Sequence, residues 1–291
     1  MDQRTIHCGN ETYGDGIVKK IWIVAGVVLV GVLGWWVLTN RQSPEKITYR
    51  EEPESYILPG EKHFRNMRML THEGENAEAY FSFDQKKLVY QATFGKVLCD
   101  QIFIMNLDGS GRRLISTGKG RTTCAFFLPG DTLVLYSSTH LADENCPPPP
   151  DRSRGYVWQL YDTYDIFVAN LNGEIVRRLT DTPGYDAEAT VSPLGDKIVF
   201  TSMRDGDPEI YVMNLDGSHQ TRLTHAKGYD GGPFFSPDGS MIVFRASRPQ
   251  TPEELADYED LVKLNYVRPT TLEIYVMNAD GSNIRQVTHF G

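Results

Sequence analysis

Three stretches of the sequence carry carboxylates at matching positions. They read GENAEAYFS, GYDAEATVS and GYDGGPFFS, and each ends in a serine. Aligned on those serines, they place five polar side chains at two neighbouring levels: Asn76, Asp186 and Asp230 at one, and Glu78 and Glu188 two residues further on. Around a common axis these groups would form an acidic ring suited to a cation such as Ca²⁺, a basic peptide or another small ligand. The alternative is a structural role, in which they accept hydrogen bonds from nearby backbone N–H groups.

A second candidate binding segment is YVWQLYDTY, residues 156–164. Tyrosine and tryptophan contribute much of the binding energy at protein interfaces. Trp158, Tyr161 and Tyr164 are therefore candidate contacts for a protein partner. The alternative is that the stretch only extends a neighbouring strand.

Signatures of catalysis are missing from the sequence. It contains no Gly-x-Ser-x-Gly elbow, no His-Glu-x-x-His pair and no phosphate-binding loop. The net charge of −9 also disfavours nucleic acid, whose phosphates require a basic surface. The sequence thus predicts a protein that is not an enzyme and that uses no cofactor other than, at most, Ca²⁺.

Four cysteines are present, and their spacing fits no zinc motif. Cys8 stands apart near the amino terminus, while Cys99, Cys124 and Cys146 lie in the main body. One disulfide among those three is expected in an oxidising compartment, with three pairings open, and buried free thiols are the alternative. The CPPPP stretch at residues 146–150 predicts a stiff polyproline arm.

The elements that would position these residues come from a repeat. The sequence EIYVMNLDGSHQTRLT returns as EIYVMNADGSNIRQVT, and QIFIMNLDGSGRRLIS and DIFVANLNGEIVRRLT are two further copies. Asp-Gly or Asn-Gly between alternating apolar runs is a strong hairpin signal. A second hairpin with a Pro-Asp-Gly or related turn precedes each copy, so each unit has four strands.

The spacing of the repeats indicates a radial array. Their hairpin glycines, Gly109, Gly173, Gly217 and Gly281, are 64, 44 and 64 residues apart. The short spacing equals one propeller blade. Each long spacing adds about 20 residues between the second and third strands, so both insertions should emerge on one face. A β-sandwich is the alternative, but it does not require the same turn chemistry four times.

FSPDGSMIVF and IYVMNLDGS resemble the TolB-type β-propeller repeats, a WD40-like family named for its Pro-Asp motif. The resemblance covers residues 67–288 and implies an exported six-bladed propeller that acts through protein contacts. SFDQ in the first blade and LPGD in the second depart from the family's Ser-Pro-Asp-Gly. Because only four blades are recognisable, we expect a chain truncated from six. It would be completed by self-association or a separately encoded remainder, unless four blades close tightly on themselves.

The uncharged run at residues 21–40 is long enough to cross a bilayer as a helix. Trp22 lies at one end, and Trp35 and Trp36 at the other, as in an aromatic belt. A cleaved signal peptide and a buried helix are the alternatives. Basic residues are balanced around the run, and the Lys19–Lys20 pair favours a cytoplasmic amino terminus.

The predicted architecture is all-β, with one transmembrane helix before a propeller of four-stranded blades. A tail occupies residues 1–20, the helix 21–40, a tether 41–65 and the propeller 66–291, with blades at about 66–116, 117–180, 181–224 and 225–291. We expect a single-pass protein of the bacterial inner membrane whose propeller lies in the periplasm or outside the cell. Its predicted role is a non-enzymatic interaction scaffold with protein partners in the cell envelope. The alternative is a receptor for a cation, basic peptide or small ligand at an acidic channel mouth.

Overall fold

Alternating runs of β-branched and aromatic residues form four antiparallel sheets, each with four strands in meander order. The computed structural model describes residues 56–290. Blade 1 contains β1 (Glu75–Phe81), β2 (Lys87–Thr93), β3 (Gln101–Asn106) and β4 (Arg113–Leu114). Blade 2 contains β5 (Thr122–Phe127), β6 (Leu133–Ser138), β8 (Asp165–Asn170) and β9 (Ile175–Arg178). Blade 3 contains β10 (Asp186–Val191), β11 (Lys197–Ser202), β12 (Glu209–Asn214) and β13 (Thr221–Arg222). Blade 4 contains β14 (Asp230–Phe235), β15 (Met241–Ala246), β17 (Glu273–Asn278) and β18 (Arg285–Gln286). The predicted four-bladed β-propeller is confirmed.

The serine or threonine that ends each repeat has the same structural role in all four blades. In blade 3 the Thr224 hydroxyl accepts a hydrogen bond from the Ile210 N–H at 2.8 Å and donates one to Glu209 at 2.5 Å. The same contact to the backbone recurs with Ser116, Thr180 and Thr288 in the other blades. Each of these hydroxyls fastens the short outer strand to the start of the third strand, where a buried N–H needs a partner.

Three apolar cores lie between successive blades. Val89 and Ile104 of blade 1 face Phe127 and Tyr136 of blade 2. Equivalent clusters join blade 2 to blade 3 and blade 3 to blade 4. The repeats therefore bury their faces against their neighbours, which is the main source of stability in such arrays.

The faces at the two ends of the array differ. On blade 1, Leu88 and Tyr90 are buried, with Leu70 from the preceding segment and Phe94 packed against them. On blade 4, Val243 is partly exposed and Ile274 is exposed, although their counterparts in blade 3, Val199 and Ile210, are buried. The end face of blade 4 is thus an apolar surface open to solvent, and the predicted self-association stays a prediction.

The two insertions emerge on the same face, as predicted, and they pair with each other. The first insertion, residues 139–164, contains β7 (Trp158–Gln159), and the second, residues 247–272, contains β16 (Tyr266–Val267). These strands form a two-stranded antiparallel sheet of their own. The stretch from Tyr156 to Tyr164 therefore does not extend blade 2.

A single helix, α1 (Pro252–Val262), stands in the second insertion of the described chain. Thr251 and Glu254 form a capping box at its start, and Pro252 follows the cap, where its missing N–H costs nothing. Tyr258 of this helix is buried and donates a hydrogen bond to Asp207 at 2.6 Å. The helix is thereby anchored to blade 3.

One disulfide joins Cys99 to Cys146, while Cys124 is free. The structure thus selects one of the three pairings that the sequence left open. Within residues 56–290, no helix is long and apolar enough to cross a membrane. The predicted transmembrane segment, residues 21–40, lies outside the described residues.

Candidate functional site

The innermost strand of every blade contains a bulge at the same place. The bulged residues Glu78, Cys124, Glu188 and Gly232 all have positive φ, between 49° and 59°. The register with the second strand shifts at each of them. Non-glycine residues seldom adopt this conformation, and bulges often redirect a side chain near a functional site. Gly232 has no side chain, and the side chains of the other three bulged residues line one cavity.

This cavity has a volume of about 580 Å³ and lies between the bulges and the first insertion. The propeller supplies Glu78, Cys124 and Glu188 from its inner strands. The first insertion supplies an opposing wall of Pro149, Pro150, Arg152, Tyr156, Trp158 and Tyr161. Two sets of residues that the sequence proposed for different roles therefore meet in one place. We call it the mouth cavity.

Glu188 is the most heavily bonded carboxylate of the mouth cavity. It forms an ion pair with Arg245 and accepts hydrogen bonds from Thr201 at 2.8 Å and from the Gly232 N–H at 2.8 Å. Tyr229 donates a hydrogen bond to it at 3.1 Å. Burial, and next the negative charge of Glu188, raise the pKa of Tyr229. Glu188 thus fixes the walls of the cavity, and little of its bonding capacity is left for a ligand.

The remaining charges of the mouth cavity are of both signs. Arg121 pairs with Asp100 at 3.0 Å and lies 6.0 Å from the Tyr161 ring centre. Glu78 accepts a hydrogen bond from Tyr80, and no arginine or lysine pairs with it among the described residues. Arg152 lies over the Tyr156 ring at 5.6 Å. A bound group would therefore meet one exposed carboxylate on the propeller side and one exposed guanidinium on the insertion side.

The other three members of the predicted acidic ring lie elsewhere. Asp186 is buried and paired with Arg204 at 3.0 Å, and Asp230 is buried and paired with Arg248 at 2.5 Å. Asn76 is exposed and donates to the backbone carbonyl of Glu73. In a regular strand, side chains two residues apart point the same way, but here the bulge begins between the two levels and interrupts that alternation. Only the glutamate level therefore faces the cavity. The ring of five is therefore replaced by two glutamates, Glu78 and Glu188.

The aromatic residues of the first insertion divide into exposed and buried ones. Trp158 and Tyr161 are partly exposed and line the mouth cavity. Arg245 lies 4.9 Å from the Trp158 ring centre, and the Trp158 indole donates to Tyr156 at 3.2 Å. Tyr164 is only 4% exposed and packs edge-on against Tyr185, so its ring is a core residue of the insertion.

A metal site is not evident in the described part of the chain, where no three His, Cys, Asp or Glu side chains come together. The free thiol of Cys124 is partly buried in the cavity wall, and this burial raises its pKa and keeps it protonated. Binding of Ca²⁺ at the predicted ring stays a prediction.

Several lining residues were not singled out from the sequence. Arg245 stands on the second strand of blade 4, where the other blades have Gln91, Ser137 and Thr201. Comparison of the four repeats at this position would have revealed an arginine next to an acidic level. Arg121 precedes β5 where the other blades have Glu75, Tyr185 and Tyr229, so no shared residue type points to it.

Comparison with known proteins bears on the repeat itself. Residues 150–250 match the family model described as the TolB beta propeller domain. The matched stretch, which contains blade 3, is thus similar to the TolB propeller domain. A search of curated proteins finds no match.

Two solved structures share the fold of this propeller. A TolB-type protein from Agrobacterium tumefaciens is 20% identical, with a TM-score of 0.54, and the match covers 72% of this chain and 63% of that protein. TolB from Acinetobacter baumannii is also 20% identical, with a TM-score of 0.51, and the match covers 74% of this chain and 44% of that protein. This chain thus spans less than two thirds of the length of either structure.

Proposed function

We propose that this chain is a non-enzymatic interaction scaffold that holds a segment of a partner protein in the mouth cavity. The observation that carries the proposal is the convergence of Trp158, Tyr156 and Tyr161 with inner-strand residues around one 580 Å³ space. Cavities of this size bind ligands through apolar walls with a few placed polar groups. Aromatic rings on a rigid frame are the common anchors of protein recognition.

The electrostatics of the mouth cavity favour a peptide over a simple ion. Most of its charges are already matched, as in the pairs Glu188–Arg245 and Asp100–Arg121. A matched, mixed surface gives specificity without strong net attraction for either sign. An extended peptide segment provides backbone donors and acceptors together with side chains for the aromatic wall.

A small-ligand or basic-peptide receptor is the second candidate function, favoured by Glu78. Its carboxylate faces the cavity without a cationic partner among the described residues. Calorimetry with Ca²⁺ and with tetralysine distinguishes this candidate from the scaffold. A heat of binding that disappears in the Glu78→Gln variant would support the receptor. The absence of a heat of binding with either probe would exclude this candidate function.

The scaffold is tested by co-purification from native envelopes. We expect Trp158→Ala combined with Tyr161→Ala to reduce recovery of the partner at least five-fold, while Phe290→Ala does not. Phe290 is an exposed ring that does not line the mouth cavity, so it serves as the matched control. Unchanged recovery with the double variant would contradict the proposal.

We further propose that residues 21–40 anchor the chain in the bacterial inner membrane and that the propeller is exported. The Cys99–Cys146 disulfide supports export, because disulfides persist in oxidising compartments. Protease added to sealed inverted inner-membrane vesicles should spare the propeller, because the periplasmic face lies inside such vesicles. Digestion of the propeller in those vesicles would contradict this topology.

A further inference from the structure

The wall of the mouth cavity contains a segment with unusually few means of attachment. Four consecutive prolines occupy residues 147–150, and Pro149 and Pro150 line the cavity. We call residues 146–157 the proline strap. Proline has no backbone N–H, so these four residues donate nothing to a strand or a turn. The strap must therefore be held at its ends.

The far end of the proline strap is held by the second insertion. The Asp151 N–H donates to Tyr266 at 3.2 Å, and Arg154 pairs with Asp257 at 3.2 Å. Arg268 donates to the Arg154 carbonyl at 3.0 Å. Beyond these contacts the chain enters β7, which pairs with β16.

The near end of the proline strap is held by the disulfide, and two residues before it the Glu144 carbonyl accepts a hydrogen bond from the Gly120 N–H at 2.8 Å. Cys146 directly precedes the prolines, and its partner Cys99 is buried next to β3 of blade 1. Inside the proline run, a side-chain contact comes from Tyr161, which donates to the Pro148 carbonyl at 3.3 Å. A single hydrogen bond of this kind is too weak to replace a covalent bond.

We infer that the Cys99–Cys146 disulfide is a redox-controlled closure of the mouth cavity, so that reduction frees one end of the proline strap and opens the rim. This rests on the proposed function only in that the cavity is the binding site. The Cys146 side is the accessible one, because Cys146 is partly exposed whereas Cys99 is 5% exposed.

The chemistry requires a dithiol reductant. One of its thiolates attacks the Cys146 sulfur, the Cys99–Cys146 bond breaks, and the Cys99 sulfur leaves as a thiolate and takes up a proton. The second thiol of the reductant then displaces Cys146, which leaves as a thiolate and is protonated in turn. Two electrons and two protons have moved from the dithiol, now a disulfide, to the two cysteines.

Limited trypsin digestion of the full chain tests this inference without any ligand. The strap contains Arg152 and Arg154, both exposed, and a strap held only at its far end can enter a protease site more readily than one held at both ends. We expect reduction with dithiothreitol to accelerate cleavage at these two arginines at least ten-fold, with the thiol count rising by two. Cys146→Ser should be cleaved as fast without reductant, and Cys124→Ser should behave as wild type.

Cleavage at Arg177 and Arg178 on β9 of blade 2 provides the internal control, since these residues lie in the propeller itself. Equal acceleration there would mean that the disulfide stabilises the whole fold, and would overturn the inference. Unchanged cleavage at Arg152 and Arg154 after complete reduction would overturn it too. Neither result depends on whether a partner segment binds in the cavity, so failure here leaves the proposed function standing.

Discussion

At the scale of single residues, Arg245 decides whether the mouth cavity keeps its shape. It neutralises Glu188, whose side chain is 11% exposed, and it packs on the Trp158 ring. Removing one partner of a buried pair leaves an uncompensated charge, which commonly costs 3–5 kcal/mol. Because the Arg245 side chain is 36% exposed, solvent screens part of that cost.

We therefore expect Arg245→Ala to lower the free energy of unfolding by about 2–3 kcal/mol, measured by urea denaturation. Adding Glu188→Gln removes the stranded charge, so the double variant should recover at least half of the loss. A single variant as stable as wild type would show that Glu188 finds enough other donors.

Also at the scale of single residues, Asp230 should make the stability of the fold depend on pH. Burial raises its pKa to about 7, although Arg248 beside it favours the charged form. The folded state therefore binds the proton more tightly than the unfolded chain, whose carboxyls titrate near pH 4. The stability contributed by this group is present below about pH 4 and is lost as the pH rises toward 7.

The stability of wild type relative to Asp230→Asn should consequently fall from pH 4.5 to pH 7.5 in thermal melts. Asp216→Asn is the matched control, because hydrogen bonds from Ser218 lower the pKa of this exposed carboxyl and its contribution is constant in that range. A difference for Asp230 that stays flat or grows with pH would contradict the assignment.

At the scale of elements, the hairpin turn of each blade also packs against the stretch of chain that precedes that blade. Gly217 has a φ of 87°, and a Cβ there would lie 2.8 Å from the Leu179 carbonyl oxygen. The equivalent glycines of the other blades approach Leu70, Ile115 and Leu223 in the same way. The repeated Asp-Gly thus satisfies two demands, a turn conformation and a close contact between blades.

We expect Gly217→Ala to cost about 2–3 kcal/mol, from a strained φ and a steric overlap. Gly206→Ala isolates the cost of the strained φ, because Gly206 has a φ of 83° with no atom within 4 Å of the added Cβ. It should cost about 1 kcal/mol. Equal losses of unfolding free energy in chemical denaturation would mean that the contact between blades contributes nothing.

The elements show what could be predicted from this sequence and what could not. The four-stranded blades and the common face of both insertions follow from local turn chemistry, which the sequence repeats four times. The pairing of β7 with β16 was not predictable, because two strands of two residues each carry no pattern. Likewise, the bulge at Glu78 and Glu188 directs only one of two acidic levels into the cavity, and φ is not written in residue type.

At the scale of the whole described propeller, a frame of four blades holds a cavity that the first insertion completes, and the second insertion pairs with the first. Rings of Tyr80, Phe126 and Phe234 meet at 5.3–6.4 Å next to the bulges and join the inner strands of blades 1, 2 and 4. A rigid frame with loops gathered at one end is the usual way a propeller acquires a binding surface. The mouth cavity is therefore formed by the first insertion and by the inner strands of the blades, which fix where it lies.

The central claim is that a partner protein occupies the mouth cavity, and site-specific photo-crosslinking tests it most directly. A photoreactive phenylalanine analogue replaces Tyr156, which is 60% exposed at the cavity rim, and in a control chain it replaces Phe290, which is 82% exposed and does not line the cavity. Illumination of native envelopes should give a discrete protein adduct from position 156 and none of that size from position 290. The absence of an adduct at 156, or the same adduct from both positions, would contradict the account.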